Sequence, residues 1–302
     1  MNDQLNQPIS ASATPVEPTT LQSLWTAVQY ALPHHAISRL VFRLARWQTP
    51  FTAIVIRWFV RRYGVDLSEA VESDPAAYPS FNAFFTRALK PDVRPMPRDE
   101  TVWISPCDGR VSQLGPIQSG NLLQAKGRDY TVTCLLGGDP ELAQKFEQGQ
   151  FATIYLAPRD YHRIHMPCAG TLREMIHVPG RLFSVSPVTV QQVSEIFARN
   201  ERLACVFDTA YGPLALVLVG AINVAAIEAV WAGLVTPPAG NMVTRRHYAG
   251  ETGMTISLAR GQEMGRFNMG STVVMLLPAG FELSAEWQPQ CPIKLGDVLG
   301  RP

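Results

Sequence analysis

No two of the five cysteines stand at C-x-x-C spacing in this chain of 302 residues. Cys107, Cys134, Cys168, Cys205 and Cys291 are odd in number and widely scattered, which argues against a disulfide framework and a zinc ribbon and points to a reducing compartment. Apolar runs near the roughly 20 uninterrupted residues of a membrane span are missing too. The stretch MNDQLNQPISASATPVEPTT lacks Lys, Arg and any apolar core, so neither a secretory signal nor a mitochondrial presequence is legible in it. Residues 1–20 read as a disordered tail. A net charge of +1 gives no ground for a nucleic-acid partner.

Negative charge is what the segment from Leu21 to Val65 lacks. It holds six arginines (39, 43, 46, 57, 61, 62) together with Trp25, Trp47 and Trp58, and no Asp or Glu. In ISRLVFRLARWQ, Ile37, Leu40, Val41, Leu44 and Trp47 recur at helical spacing with Arg39, Arg43 and Arg46 on the other side. This amphipathic helix should end at Pro50. FTAIVIRWFVRRYG reads as a second helix, closed by basic residues and Gly64. Residues 21–65 therefore either pack on the rest of the protein or lie in a lipid interface, with Trp at headgroup depth. PSFNAFFTRALKPDVRP adds a short helix stopped by Pro91. From Trp103 onward the texture turns to short β-rich runs between turn residues, among them FATIYLAP, LREMIHV, RLACVFDT, LALVLVGAINV and STVVMLLP. Such runs, interrupted by helices only at DPELAQKFEQG and TVQQVSEIFARN, predict an α+β chain. Its predominantly antiparallel β sandwich or barrel-like core spans 66–302, behind N-terminal amphipathic helices.

Three loops carry candidate chemistry. YLAPRDYHRIHMPCAG places His162 and His165 directly after a strand; H-x-x-H without the Glu of H-E-x-x-H is a poor metal motif, so no metal is expected. Two histidines in one polar loop suit acid–base work near neutral pH. SPCDGRVSQLG puts Asp108 at a turn, and EMGRFNMGSTVVMLLP puts Ser271 after Gly270 at the mouth of a strand. The G-x-S-x-G of a nucleophile elbow is absent, because Met269 and Val273 occupy its outer positions. A serine preceded by glycine offers a different reaction, in which its hydroxyl attacks the Gly270 carbonyl and converts the amide to an ester.

The chain resembles the phosphatidylserine decarboxylases, from about Leu21 to its C-terminus. The likeness rests on FNAFFTRALKPDVRP, SPCDGRVSQLG, LQAKGRDY, APRDYHRIHMPCAG, HVPGRLFSV, FARNERLACVFDT and GQEMGRFNMGSTVV, in that order. Met269 stands where the family's processing triplet usually has Leu, a volume-conserving change. The resemblance implies that Asp108, His165 and Ser271 form the self-cleavage triad and that His162 serves decarboxylation. It implies a cut between Gly270 and Ser271 into a β chain 1–270 and an α chain 271–302, the latter beginning with a pyruvoyl group made from Ser271. That group would act through a Schiff base with phosphatidylserine, giving phosphatidylethanolamine and carbon dioxide. Also implied are docking of residues 21–65 on an anionic phospholipid surface, a peripheral location on the cytoplasmic side of the cell membrane, and a homodimer of αβ heterodimers. The alternative is a membrane-associated serine hydrolase acting on lipids with Ser271 intact.

Overall fold

Val, Leu and Ile are concentrated in the runs that form the centre of the fold. Every residue of the strand Thr272–Leu277 is buried, as is most of Gly212–Val219 beside it, so these strands read as continuous apolar runs because both faces are covered. The computed structural model describes residues 19–125, 127–222, 226–236, 241–248, 255–269 and 272–302. Its largest sheet runs, from one edge to the other, Thr244–His247, Gly170–Val178, Arg202–Thr209, Gly212–Val219, Thr272–Leu277, Gln150–Tyr155, Gly109–Pro116 and Pro292–Ile293, with Ser257–Leu258 also on Gly170–Val178. All neighbouring strands are antiparallel. The predicted α+β class and antiparallel core are therefore present. Among the described residues the sheet stays open, however, and does not close into a barrel, since its edge strands lie at opposite ends of this order.

A smaller antiparallel sheet, Gly233–Leu234, Ile227–Ala229, Glu263–Phe267 and Arg163–His165, carries the histidine loop. Glu263 pairs with His165 and Arg266 with Arg163. The chain leaves this sheet after Phe267 and joins the large sheet at Thr272, whose register partners are Tyr155 and Val219.

Three helices precede the sheets: α1 (Thr20–Ala31), α2 (His34–Arg46) and α3 (Thr52–Tyr63), followed by the short α4 (Phe81–Phe85). The first of these was not anticipated, although Thr19 and Gln22 form a reciprocal capping box that marks its start. Gly64 closes α3 in the left-handed conformation at φ 69°, where glycine carries no Cβ penalty. In α3, Ile56 and Phe59 turn inward onto Tyr78, Phe84 and Phe85 to build a second small core.

In α2 the inward residues are His34, Ser38 and Ala45, which are polar or small. Hydrogen bonds help to seat both first helices: on α1 Gln29 Oε1 accepts from Ser184 N at 2.7 Å, and on α2 the His35 Nε2 group lies 2.8 Å from Gly180 O. The apolar stripe points out. Leu40, Leu44, Trp47, Phe51, Ile54 and Trp58 are each more than half exposed. Among the described residues, no helix is long and apolar enough to cross a membrane.

Candidate active site

The strand pairing brings His162, His165 and the chain segment that precedes Ser271 together. Phe267 N donates to His162 O at 3.0 Å, clamping the histidine loop to the strand that leads into the segment. His165 lies on the neighbouring strand. Gly270 and Ser271 themselves lie outside the described residues; Met269 and Thr272 bracket them. Gly109, after Asp108, permits close strand approach, since a Cβ there would stand 2.5 Å from Tyr155 O.

Each histidine has its tautomer set by a backbone carbonyl, which can only accept. His165 Nδ1 lies 2.8 Å from Gly261 O and so carries the proton, leaving Nε2 to accept from the Tyr161 hydroxyl at 3.0 Å. His162 Nδ1 likewise donates to Asp160 O at 2.8 Å. Its Nε2 is buried without a partner among the described residues. The His162 ring is fully buried and packs on Phe85, centroids 4.1 Å apart. Burial, helped by the nearby Arg87 cation, pushes its pKa down to about 3, and burial also lowers that of His165. Both imidazoles are thus neutral near pH 7, with Nε2 as a lone-pair base.

Asp108 is held by other partners than the sequence suggests. Its carboxylate accepts from Arg94 Nε at 2.9 Å, Arg94 Nη2 at 2.5 Å and Leu295 N at 2.9 Å, and makes no hydrogen bond to His165. Arg94 also binds Glu69 at 2.6 Å, so a buried guanidinium bridges two carboxylates. Arg163, on the strand that carries His165, is paired with Glu263 at 2.9 Å and donates to Thr86 O.

Sequence reasoning missed Arg94, Glu69, Tyr161 and Arg87 as members of this neighbourhood. Two of the signals were in view: Arg94 lies within the PDVRP stretch, and Tyr161 immediately precedes His162. Arg87 is buried, and its Nη2 donates to Arg159 O at 3.0 Å, beside the carbonyl that orients His162.

A cleft of about 250 Å³ opens next to these groups, lined by Phe59, Phe85, Tyr155, Leu156, Ser184 and Met269 among others. Its walls come from α3, α4 and the large sheet. Among the described residues no cluster of three or more His, Cys, Asp or Glu is arranged to hold a metal ion.

A buried His162 and a half-buried His165, both neutral imidazoles of fixed tautomer, have the chemistry of groups that transfer protons. Comparison with known proteins makes the class specific. The family model for phosphatidylserine decarboxylase matches residues 81–301, and a second model, described as PSD, matches residues 24–64. The phosphatidylserine decarboxylase proenzyme of Alkalilimnicola ehrlichii is 60% identical over 85% of this chain and 89% of its own length. Those of Bordetella petrii and Photobacterium profundum are 54% and 52% identical, each over 92% of this chain and over 97% and 96% of their own lengths. The chain belongs to the phosphatidylserine decarboxylase family.

Proposed function

We propose that this protein decarboxylates phosphatidylserine to phosphatidylethanolamine after cutting itself between Gly270 and Ser271. The observation that carries the reading is the family match over residues 81–301, which contains every candidate site residue, with relatives named as proenzymes. In the self-cleavage, the Ser271 hydroxyl oxygen bonds to the Gly270 carbonyl carbon as the C–N bond between the two residues breaks, giving an ester and a free amine. Loss of the Ser271 Cα proton then expels the Gly270 carboxylate. The dehydroalanine that remains takes up water, releases ammonia and leaves a keto group at the head of residues 271–302.

His165 is the base for this sequence, since its Nε2 has a lone pair and Nδ1 is pinned to Gly261 O. The Tyr161 hydroxyl occupies that lone pair and must yield it, or pass the proton on, when Ser271 reacts. Asp108 acts from behind Arg94, as a buried negative charge, and not as a direct hydrogen-bond partner of the imidazole.

The residues present fit a pyruvoyl group at position 271. Thr272 is fully buried and paired on both sides, so a chain end created there stays in place, and His162 Nε2 is an orphaned buried acceptor nearby. When formed, the group supplies an electron sink for the electrons left by departing carbon dioxide. His162 would pass a proton taken up from solvent through Nε2 to the substrate carbon that loses its carboxylate. Phe85, Leu156 and Met269 give the cleft an apolar wall, with Ser184 and Ser186 also lining it.

The exposed apolar stripe of α2 and α3, flanked by uncompensated arginines, docks on an anionic phospholipid surface as a peripheral contact. This places the cleft, which α3 helps to wall, at headgroup depth. The processed protomers form a homodimer at the cytoplasmic side of the cell membrane.

The deciding experiment is a denaturing mass spectrum of the purified protein, run beside carbon dioxide release from phosphatidylserine. Two chains broken after Gly270, the smaller without a free amino terminus, are expected. A single intact chain with full decarboxylase activity would refute the reading.

A further inference from the structure

The residue two positions before Gly270 is held by more groups than any turn requires. Asn268 is almost completely buried. Its backbone N–H donates to Ala226 O at 2.8 Å, and its Nδ2 faces Glu228 Oε2 at 3.4 Å. Its Oδ1 accepts from Asn82 Nδ2 on α4 at 2.9 Å and from Arg46 Nη2 at 3.2 Å. A guanidinium can only donate, so the atom that Arg46 faces is the amide oxygen. Arg46 is the last residue of α2, and its guanidinium also lies over the Phe42 ring, 4.1 Å from the centroid.

The next residue, Met269, has φ 119°, a conformation that a side chain with a Cβ rarely adopts. Such a residue persists when its surroundings over-determine it, and here the side chain packs against the Ile56, Phe59, Phe84 and Phe85 cluster of α3 and α4. On the far side, Thr272 is fixed by its two strand partners. The described residues on the two sides of Gly270–Ser271 are thus each anchored, Asn268 and Met269 by groups from α2, α3 and α4 and Thr272 by the large sheet.

We propose that Asn268 is a positioning residue for self-cleavage and that Arg46, reaching from α2, makes the exposed helices part of the maturation apparatus. The inference rests on the reading that the chain breaks at Gly270–Ser271. Its physical content is geometric. Attack within a chain needs the reacting atoms near contact distance, and a displacement of about 1 Å can cost about a hundredfold in rate. Loss of the Arg46 hydrogen bond removes one of the two donors to Asn268 Oδ1, and loss of the Asn268 amide removes both together with the Nδ2 contact to Glu228.

The test is pulse-chase conversion of the full chain, made by cell-free translation, into its two fragments. Wild type is compared with Arg46→Ala, Arg46→Lys, Asn268→Ala and the Arg46→Ala/Asn268→Ala double variant. Expected is a slowing of about ten- to a hundredfold for the two single alanine variants, near wild-type conversion for Arg46→Lys, and a double variant no slower than Asn268→Ala alone. Each variant is also made with Ser271→Ala so that thermal unfolding of the uncut chain reports folding; melting points close to that of the Ser271→Ala parent are expected. Wild-type conversion rates in both Arg46→Ala and Asn268→Ala would overturn the proposal. So would slowing that tracks a lowered melting point, including in Arg46→Lys. A wild-type chain that stays whole would instead remove the cleavage reading on which the proposal rests.

Discussion

Replacing Arg94 by Ala should be among the most destabilising single changes outside the apolar core. The Arg94 and Asp108 side chains are 7% and 10% exposed, so neither is screened effectively by water. Removing one partner of a buried pair costs about 3–5 kcal/mol, chiefly because the other charge is left buried. Asp108 keeps the Leu295 N–H, and Glu69 is partly exposed and can rehydrate, which places the expected loss near the lower end, about 3 kcal/mol. For a chain of this size that is a fall in melting temperature of roughly 6 °C, at about 2 °C per kcal/mol. The measurement is thermal and urea unfolding of the Ser271→Ala form, which keeps the polypeptide in one piece. Asp108→Asn combined with Arg94→Ala leaves no unpaired carboxylate at position 108. The double variant should therefore lose less than the two single losses together, by about 1 kcal/mol or more. A single-variant loss below about 1 kcal/mol, or strict additivity in the double, would refute the argument that Arg94 is what makes a buried Asp108 tolerable.

His162 gives a pH signature. Its folded pKa, near 3, lies below the ordinary 6.5, so as pH falls the unfolded chain takes the proton first. The contribution to stability is complete above about pH 6.5 and is lost from there downward, by up to about 1.4 kcal/mol per pH unit until pH approaches 3. Urea midpoints of the uncut form at pH 7 and pH 5 should differ less in His162→Gln than in its parent, though not vanish, because His165 is shifted in the same direction; equal differences would count against a neutral buried imidazole. The docking face makes a separate prediction. Changing Arg57, Arg61 and Arg62 to Gln should weaken co-sedimentation with anionic vesicles by about a hundredfold at low salt, from about 1 kcal/mol for each basic residue. Undiminished sedimentation would return the α3 arginines to a solvated role.

Much of this molecule could be read from local pattern. The β-rich runs after Trp103 became strands, Gly64 closed α3, and the motifs around Asp108, His162, His165 and Gly270–Ser271 pointed to one family. Those features depend on spacing along the chain, on the 3.6 and 2.0 periodicities and on the backbone preferences of Gly and Pro, all of which a sequence displays directly. What tertiary structure decided was which group meets which. The apolar stripe of α2 could equally have faced inward. It faces out because His34 and Ser38 are inserted on the packed side, where His34 Nδ1 accepts from Leu182 N and neighbouring Gln29 and His35 bond to the 180–184 loop. The triad implied by the family resemblance would set Asp108 directly on His165. The fold brings Arg94 to Asp108, and Gly261 and Tyr161 to His165, and charge neutralisation in a buried place favours the guanidinium over a neutral ring. Arg46 and Asn268 are 222 positions apart. No periodicity connects them, because a hydrogen bond between such distant residues exists only once the helices and the two sheets have packed and water has been excluded from between them.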